Sequence, residues 1–143
     1  MNNLKKLLVI LPIMILSLYS CSKSDSTPAN VAVSLEGKWQ YTKTGTIKNN
    51  QEILTDYEHA AGCTKDYIEF LASGVIKSHE FDNPNCQETI STGTWTKNNN
   101  SVVLTYPSQP VINGEILELT TTTLKTKFVF PDVTDVEVLT RIP

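Results

Sequence analysis

The stretch Thr123-Leu124-Lys125-Thr126-Lys127-Phe128-Val129-Phe130 is followed by Pro131-Asp132. Leu124, Thr126, Phe128 and Phe130 fall on one face, and Lys125 and Lys127 fall on the other. A period of two is the mark of a half-buried strand. Pro131 cannot donate to a ladder, so the strand ends there. Outward from this segment the same signals recur. Runs rich in Thr, Val, Ile and aromatics lie at about 37–45, 66–72, 75–81, 91–97, 101–106, 113–121, 123–130 and 135–142. Ser73-Gly74, Asn98-Asn99-Asn100, Pro107, Pro110 and Pro131-Asp132 supply the turn chemistry between them. In the second run Ile68 and Phe70 oppose Tyr67 and Glu69, and burying the first pair keeps Glu69 in water.

Eight consecutive strands with short links make an antiparallel meander. The expected fold is all-β, an eight-stranded up-and-down barrel, because closure removes the open edges. A β-sandwich competes and would need a longer Greek-key crossover. Two links are long, 46–65 and 82–90. In the first, Gln51 to Ala61 reads either as a short helix capped by Gly62 or as an irregular loop. Either form can cover one mouth of the barrel.

The chain has 143 residues, 40% of them hydrophobic and 19% charged. That is one domain's worth, and it excludes a disordered chain or a disulfide-dense miniprotein. The net charge of −3 argues against a nucleic-acid partner. Chemistry-bearing residues are sparse. There are two His, no Cys-x-x-Cys pair, no phosphate loop and no dinucleotide glycine motif. His59, Cys63, His79 and Cys86 can be grouped on paper as a zinc site, but their spacing matches no known finger. No carboxylate pair stands in an acid–base context. The expectation is a protein that is not an enzyme, without cofactor or metal.

Lys5 and Lys6 precede an apolar run from Leu7 to Leu16, which leads to Leu18-Tyr19-Ser20-Cys21. The run is too short to span a bilayer and has the flanks of a signal peptide. Its end resembles the cleavage site of bacterial lipoproteins, with Leu at −3, a small residue at −1 and Cys at +1. Tyr19 is larger than the usual residue at −2. The resemblance implies a signal peptide over 1–20 and lipidation of Cys21, anchoring the chain in the cell envelope, at the outer membrane on its periplasmic or surface side. Residues 21–34 are small and polar and read as a flexible tether. Loss of the signal leaves 10 basic and 15 acidic residues, hence a charge of −5. Acyl chains, not a basic patch, must therefore hold the domain at 35–143 to the membrane.

Gly37-Lys38-Trp39 opens the first strand, and Arg141, the one Arg of the chain, closes the last. Between them stand Cys63-Thr64-Lys65-Asp66, Phe70, Gly74, Cys86 and Gly93-Thr94-Trp95. In this order the segments resemble the lipocalin-like, calycin-type lipoproteins found in Bacteroidota, over residues 35–143. The resemblance implies a barrel floor of Gly37, Trp39 and Arg141, with the guanidinium over the indole. Avidin also opens with Gly-Lys-Trp, but Tyr41 and Gly45 replace its polar ligand contacts. With Cys21 acylated, Cys63 and Cys86 remain, and an oxidising compartment favours a disulfide between the two long links.

Such a barrel either binds a small, mostly apolar molecule or is filled by side chains and serves as a platform for protein partners. If Trp39 points inward, period two sends Tyr41 and Lys43 inward above it. The candidate ligand-binding residues are Tyr41, Lys43, Ile68, Phe70, Trp95, Leu124 and Phe128. Tyr41 would meet a ligand's polar end, and Lys43, near the mouth, an anionic one.

Overall fold

The computed structural model describes residues 33–82 and 84–143. The expected signal peptide, Cys21 and the expected tether up to residue 32 lie outside the described residues. Among the described residues are nine strands: β1 (Gly37–Lys48), β2 (Gln51–Asp56), β3 (Tyr67–Phe70), β4 (Val75–Asp82), β5 (Gln87–Asn98), β6 (Ser101–Thr105), β7 (Ile112–Leu119), β8 (Thr123–Val129) and β9 (Thr134–Ile142). All pairings are antiparallel, and β9 returns to pair with β1 from Lys38 to Thr46. Eight strands thus close an up-and-down barrel, and β2 is an extra strand beside β1. Closure by the first and last barrel strands excludes the sandwich.

The region 51–61 needs correction. It is neither helix nor irregular loop at its start, but the return strand of a hairpin. Asn49 and Asn50 make the two-residue turn with φ of 52° and 60°, the left-handed pair that a tight hairpin requires and Asn tolerates. The second long link also shrinks, since β5 begins at Gln87 and leaves only residues 83–86 between β4 and β5.

β3 pairs with β1 only over Gly37–Gln40, and β2 takes the same edge of β1 from Lys43 onward. Segment 57–66 fills the gap between β2 and β4. Asp66 is its anchor and is buried. One carboxylate oxygen accepts the Phe81 N–H at 2.8 Å, and the Tyr57 hydroxyl hydrogen-bonds the same carboxylate. The Asp66 carbonyl accepts the Tyr41 N–H at 3.3 Å. His59 completes the lock, accepting the Asp66 N–H on Nδ1 at 3.0 Å and contacting the Tyr41 carbonyl through Nε2 at 2.9 Å. Cys63 and Cys86 form a disulfide that ties this segment to the β4–β5 turn. It closes a loop with a sequence separation of 23. Loss of this cross-link through Cys63→Ser with Cys86→Ser should cost about 2–3 kcal/mol by relaxing the unfolded chain. Chemical denaturation of the double variant measures it, and an unchanged midpoint would contradict the estimate.

The closed end of the barrel is built on Trp39, whose side chain is completely buried. Its Nε1–H donates to the Leu35 carbonyl at 2.8 Å. The Arg141 guanidinium lies 4.1 Å from the indole centre and donates to the carbonyls of Thr121, Glu36 and Ser34. One side chain thereby ties the chain entry to the β7–β8 turn. Gly37 has φ of +120°, and a β-carbon there would stand 2.6 Å from Arg141 Nη1. Only glycine meets both conditions. Above the floor, Ile76, Val102, Leu124 and Leu139 are fully buried.

Candidate ligand site

Cross-strand partners share a face, so the registers show which side chains enter the barrel. Ile68 pairs with Ser78 and Ser78 with Ser91, Thr126 with Glu137, and Leu139 with Tyr41. These residues line one cavity of about 260 Å³. Its apolar part is made by Leu35, Ile68, Phe70, Leu104, Leu124 and Leu139, among others. Its polar part is made by Glu80, Asp135 and Glu137, with Thr126, Tyr41 and Tyr106 beside them. Asp135 and Glu80 stand near the strand ends at the open mouth, and Glu137 is one inward step deeper on β9.

Five of the seven sequence-derived candidates line this cavity: Tyr41, Ile68, Phe70, Leu124 and Phe128. Lys43 does not, and its expected inward direction is corrected. The pairing of β1 with β9 slips between Tyr41 and Lys43. The extra residue of this β-bulge, Thr42, inverts the alternation beyond it. Lys43 therefore points outward and pairs with Asp56 at 2.7 Å on the surface. Trp95 is also absent from the wall. It packs edge-on against Phe70, with centroids 5.4 Å apart, and donates to the Leu71 carbonyl at 3.0 Å, holding the β3–β4 turn. Nor do the four residues grouped on paper as a zinc site converge as ligands. Cys63 and Cys86 are joined, His59 is committed to Asp66 and Tyr41, and His79 Nδ1 meets Glu88 at 2.7 Å.

The acidic side of the wall escaped sequence reading. On β9, alternation sets Val136 and Val138 against Asp135 and Glu137, and hydrophobicity would bury the valines inside. The structure does the reverse. Val136 points outward, paired with Gly45 and Lys127, and yet is 0% exposed. The β1–β2 hairpin covers it. A β-carbon at Gly45 would meet the Ile53 carbonyl oxygen, so β2 bends back over the outer face of β1 there. Glu52 on β2 reaches Lys125 on β8 at 2.7 Å. With this outer face covered, Val136 is buried outside the barrel and Val138 half-buried, and Glu137 is left to face in.

Enclosure shifts the groups of this wall. Burial and the neighbouring Asp135 push the Glu137 carboxyl up to about 7. Burial, and then the Glu137 charge, raises the Tyr41 phenol well above its ordinary value. Tyr106 is pushed up to about 12 by burial and by Glu137 and Glu80.

Residues 35–126 match the family model for a lipocalin-like domain. The chain belongs to the lipocalin-like domain family. The fold agrees with that assignment. The barrel is similar to the crystal structure of a lipocalin-like protein from Bacteroides uniformis, with 10% identity, 76% of this chain and 98% of that chain covered, and a TM-score of 0.58. An uncharacterized protein from Bacteroides eggerthii is similar at 10% identity, covering 76% of this chain and 100% of that one, with a TM-score of 0.54. No curated protein sequence matches the chain. At such low identity these structures share a fold. The lipocalin fold is in general a non-catalytic binding fold for small hydrophobic ligands.

Proposed function

We propose that this lipocalin-like chain is a non-catalytic, lipid-anchored protein of the bacterial cell envelope, at the outer membrane, that binds a small, mostly apolar molecule in its barrel. The cavity carries the reading. It sits between the Trp39 floor and the open mouth, and its deeper wall is apolar with a few convergent polar groups, the usual form of a small-molecule site. At about 260 Å³ it is near the lower end of such sites. That narrowness favours the second reading, a barrel filled by side chains that serves as a platform for a protein partner. Titration of the delipidated protein with apolar fluorescent probes and a lipid panel separates the two. Saturable binding that a Leu124→Trp substitution abolishes supports the first, and absence of any binding leaves the platform.

Membrane anchoring is read from the Leu18-Tyr19-Ser20-Cys21 site and from the net acidic charge of the body, which repels anionic headgroups and leaves the attachment to acyl chains. Cys21→Ala should move the protein from the membrane to the soluble fraction. A variant that still sediments with membranes would overturn the anchor.

A further inference from the structure

We propose that the ligand of this barrel is a small amphipathic amine, its apolar tail against the floor and its ammonium group between Glu137, Asp135 and Glu80. The inference rests on the reading of the barrel as a binding site and names the ligand's chemical class.

Charge comes first. Among the described residues, the cavity wall carries three carboxylates and no Lys, Arg or His. Lys43, the lysine expected inward near the mouth, points outward to Asp56. The carboxylates of Glu137 and Asp135 have no hydrogen-bond or ion-pair partner among the described residues, and Glu80 accepts only a long contact of 3.4 Å from Ser78. Glu80 is exposed at the mouth and Asp135 half-buried, but the carboxylate of Glu137 is desolvated beside them, and a desolvated carboxylate without a cation is costly. An anionic ligand would add to that cost, and a cationic one would relieve it.

A second observation concerns Thr126. It is 4% exposed, lines the cavity and neighbours Glu137 across the ladder, and its Oγ1 has no hydrogen-bond partner. Buried hydroxyls are normally satisfied. The Thr126 side chain enters the barrel at the level of Glu137, so this unsatisfied oxygen adds a further acceptor to the acidic side of the wall. The apolar half below, with Leu124 and Leu139, offers such an amine nothing but hydrocarbon contact.

Volume sets the size. An apolar cavity of about 150 Å³ accommodates benzene. By that measure a cavity of about 260 Å³ holds roughly ten non-hydrogen atoms. n-Octylamine, 1-octanol and octanoate share this size and tail and differ in the charge of the head.

The groups facing Glu137 are Asp135 on its own strand, Glu80 on β4, Tyr41 on β1, Tyr106 beyond β6 and Tyr57 beyond β2. None brings positive charge, so ionisation of Glu137 governs how the affinity for a cation changes near neutrality.

Calorimetric titration of the mature chain from residue 21 tests this, with Cys21→Ser so that no acyl chain competes. At pH 8 octylamine should bind at least tenfold more tightly than 1-octanol, and octanoate should bind least. Octylamine should gain affinity several-fold between pH 6 and pH 8, while 1-octanol stays constant. Glu137→Gln should weaken octylamine about tenfold at pH 8 and leave 1-octanol unchanged, which also shows that the variant is folded. Glu80→Gln provides a second variant with the same direction. Equal affinity for octylamine and 1-octanol, or preference for octanoate, would overturn the amine while leaving an apolar-ligand barrel. No binding of any of the three would overturn the binding reading as well.

Discussion

Trp39→Ala should destabilise the domain by about 3–5 kcal/mol, the range for truncating a large buried aromatic. Nothing of the Trp39 side chain is exposed, and it supports other contacts besides its own. Its ring is the surface on which the Arg141 guanidinium rests at 4.1 Å, and that guanidinium ties Ser34, Glu36 and Thr121 together. Removing the indole opens a cavity at the floor and leaves the cation without its platform. Single domains have only about 5–15 kcal/mol of stability, so the variant stands near the threshold of folding. Urea denaturation followed by tyrosine fluorescence measures the effect. Gly37→Ala should act in the same direction and more weakly, since it strains φ and displaces Arg141 without removing the ring. An unchanged midpoint for Trp39→Ala would mean that the floor is not built on this residue.

Strands with one wet face were legible in the sequence, because side-chain polarity reports burial when only one face is dry. β8 is such a strand. Leu124, Thr126 and Phe128 are buried, and Lys125 and Lys127 turn outward to Glu52 and Glu115. The floor was legible for another reason. Gly37, Trp39 and Arg141 are rare residue types with demanding geometry, and a resemblance can carry them residue by residue. Illegible parts share a cause in long-range covering. β2 has Ile53 and Leu54 adjacent, so no period of two announces it, and only the Asn49-Asn50 turn hints at a hairpin. That hairpin then bends over β9 and dries its outer face. The polarity rule fails on β9 because its outer face is covered at Val136, and the acidic wall of the site was hidden for that reason. Thr42 adds a local failure. A bulge leaves no mark in composition, yet it reverses every side chain beyond it.

Glu137→Gln should make the ligand-free protein more stable at pH 8, by about 3 kcal/mol, and leave it nearly unchanged at pH 4. In the folded chain the Glu137 carboxyl keeps its proton up to about 7, against an ordinary value of 4.5. Between these values the folded state holds a proton that the unfolded chain has released. Stability therefore falls as pH rises from about 4.5 to 7, and the loss is complete above 7. At about 1.4 kcal/mol per pH unit, the whole window comes to about 3 kcal/mol. Glutamine keeps the shape and has no proton to lose, so its stability curve lacks this descent. Thermal melts of both proteins from pH 4 to pH 8 give the comparison, and curves that stay parallel throughout would contradict the raised carboxyl. A residue that weakens its own fold at neutral pH is typical of a site selected for something other than stability. An ammonium bound beside Glu137 would favour the ionised carboxylate and cancel the penalty. Saturating octylamine should consequently raise the melting temperature of the wild-type protein at pH 8 more than that of Glu137→Gln, narrowing the gap between them.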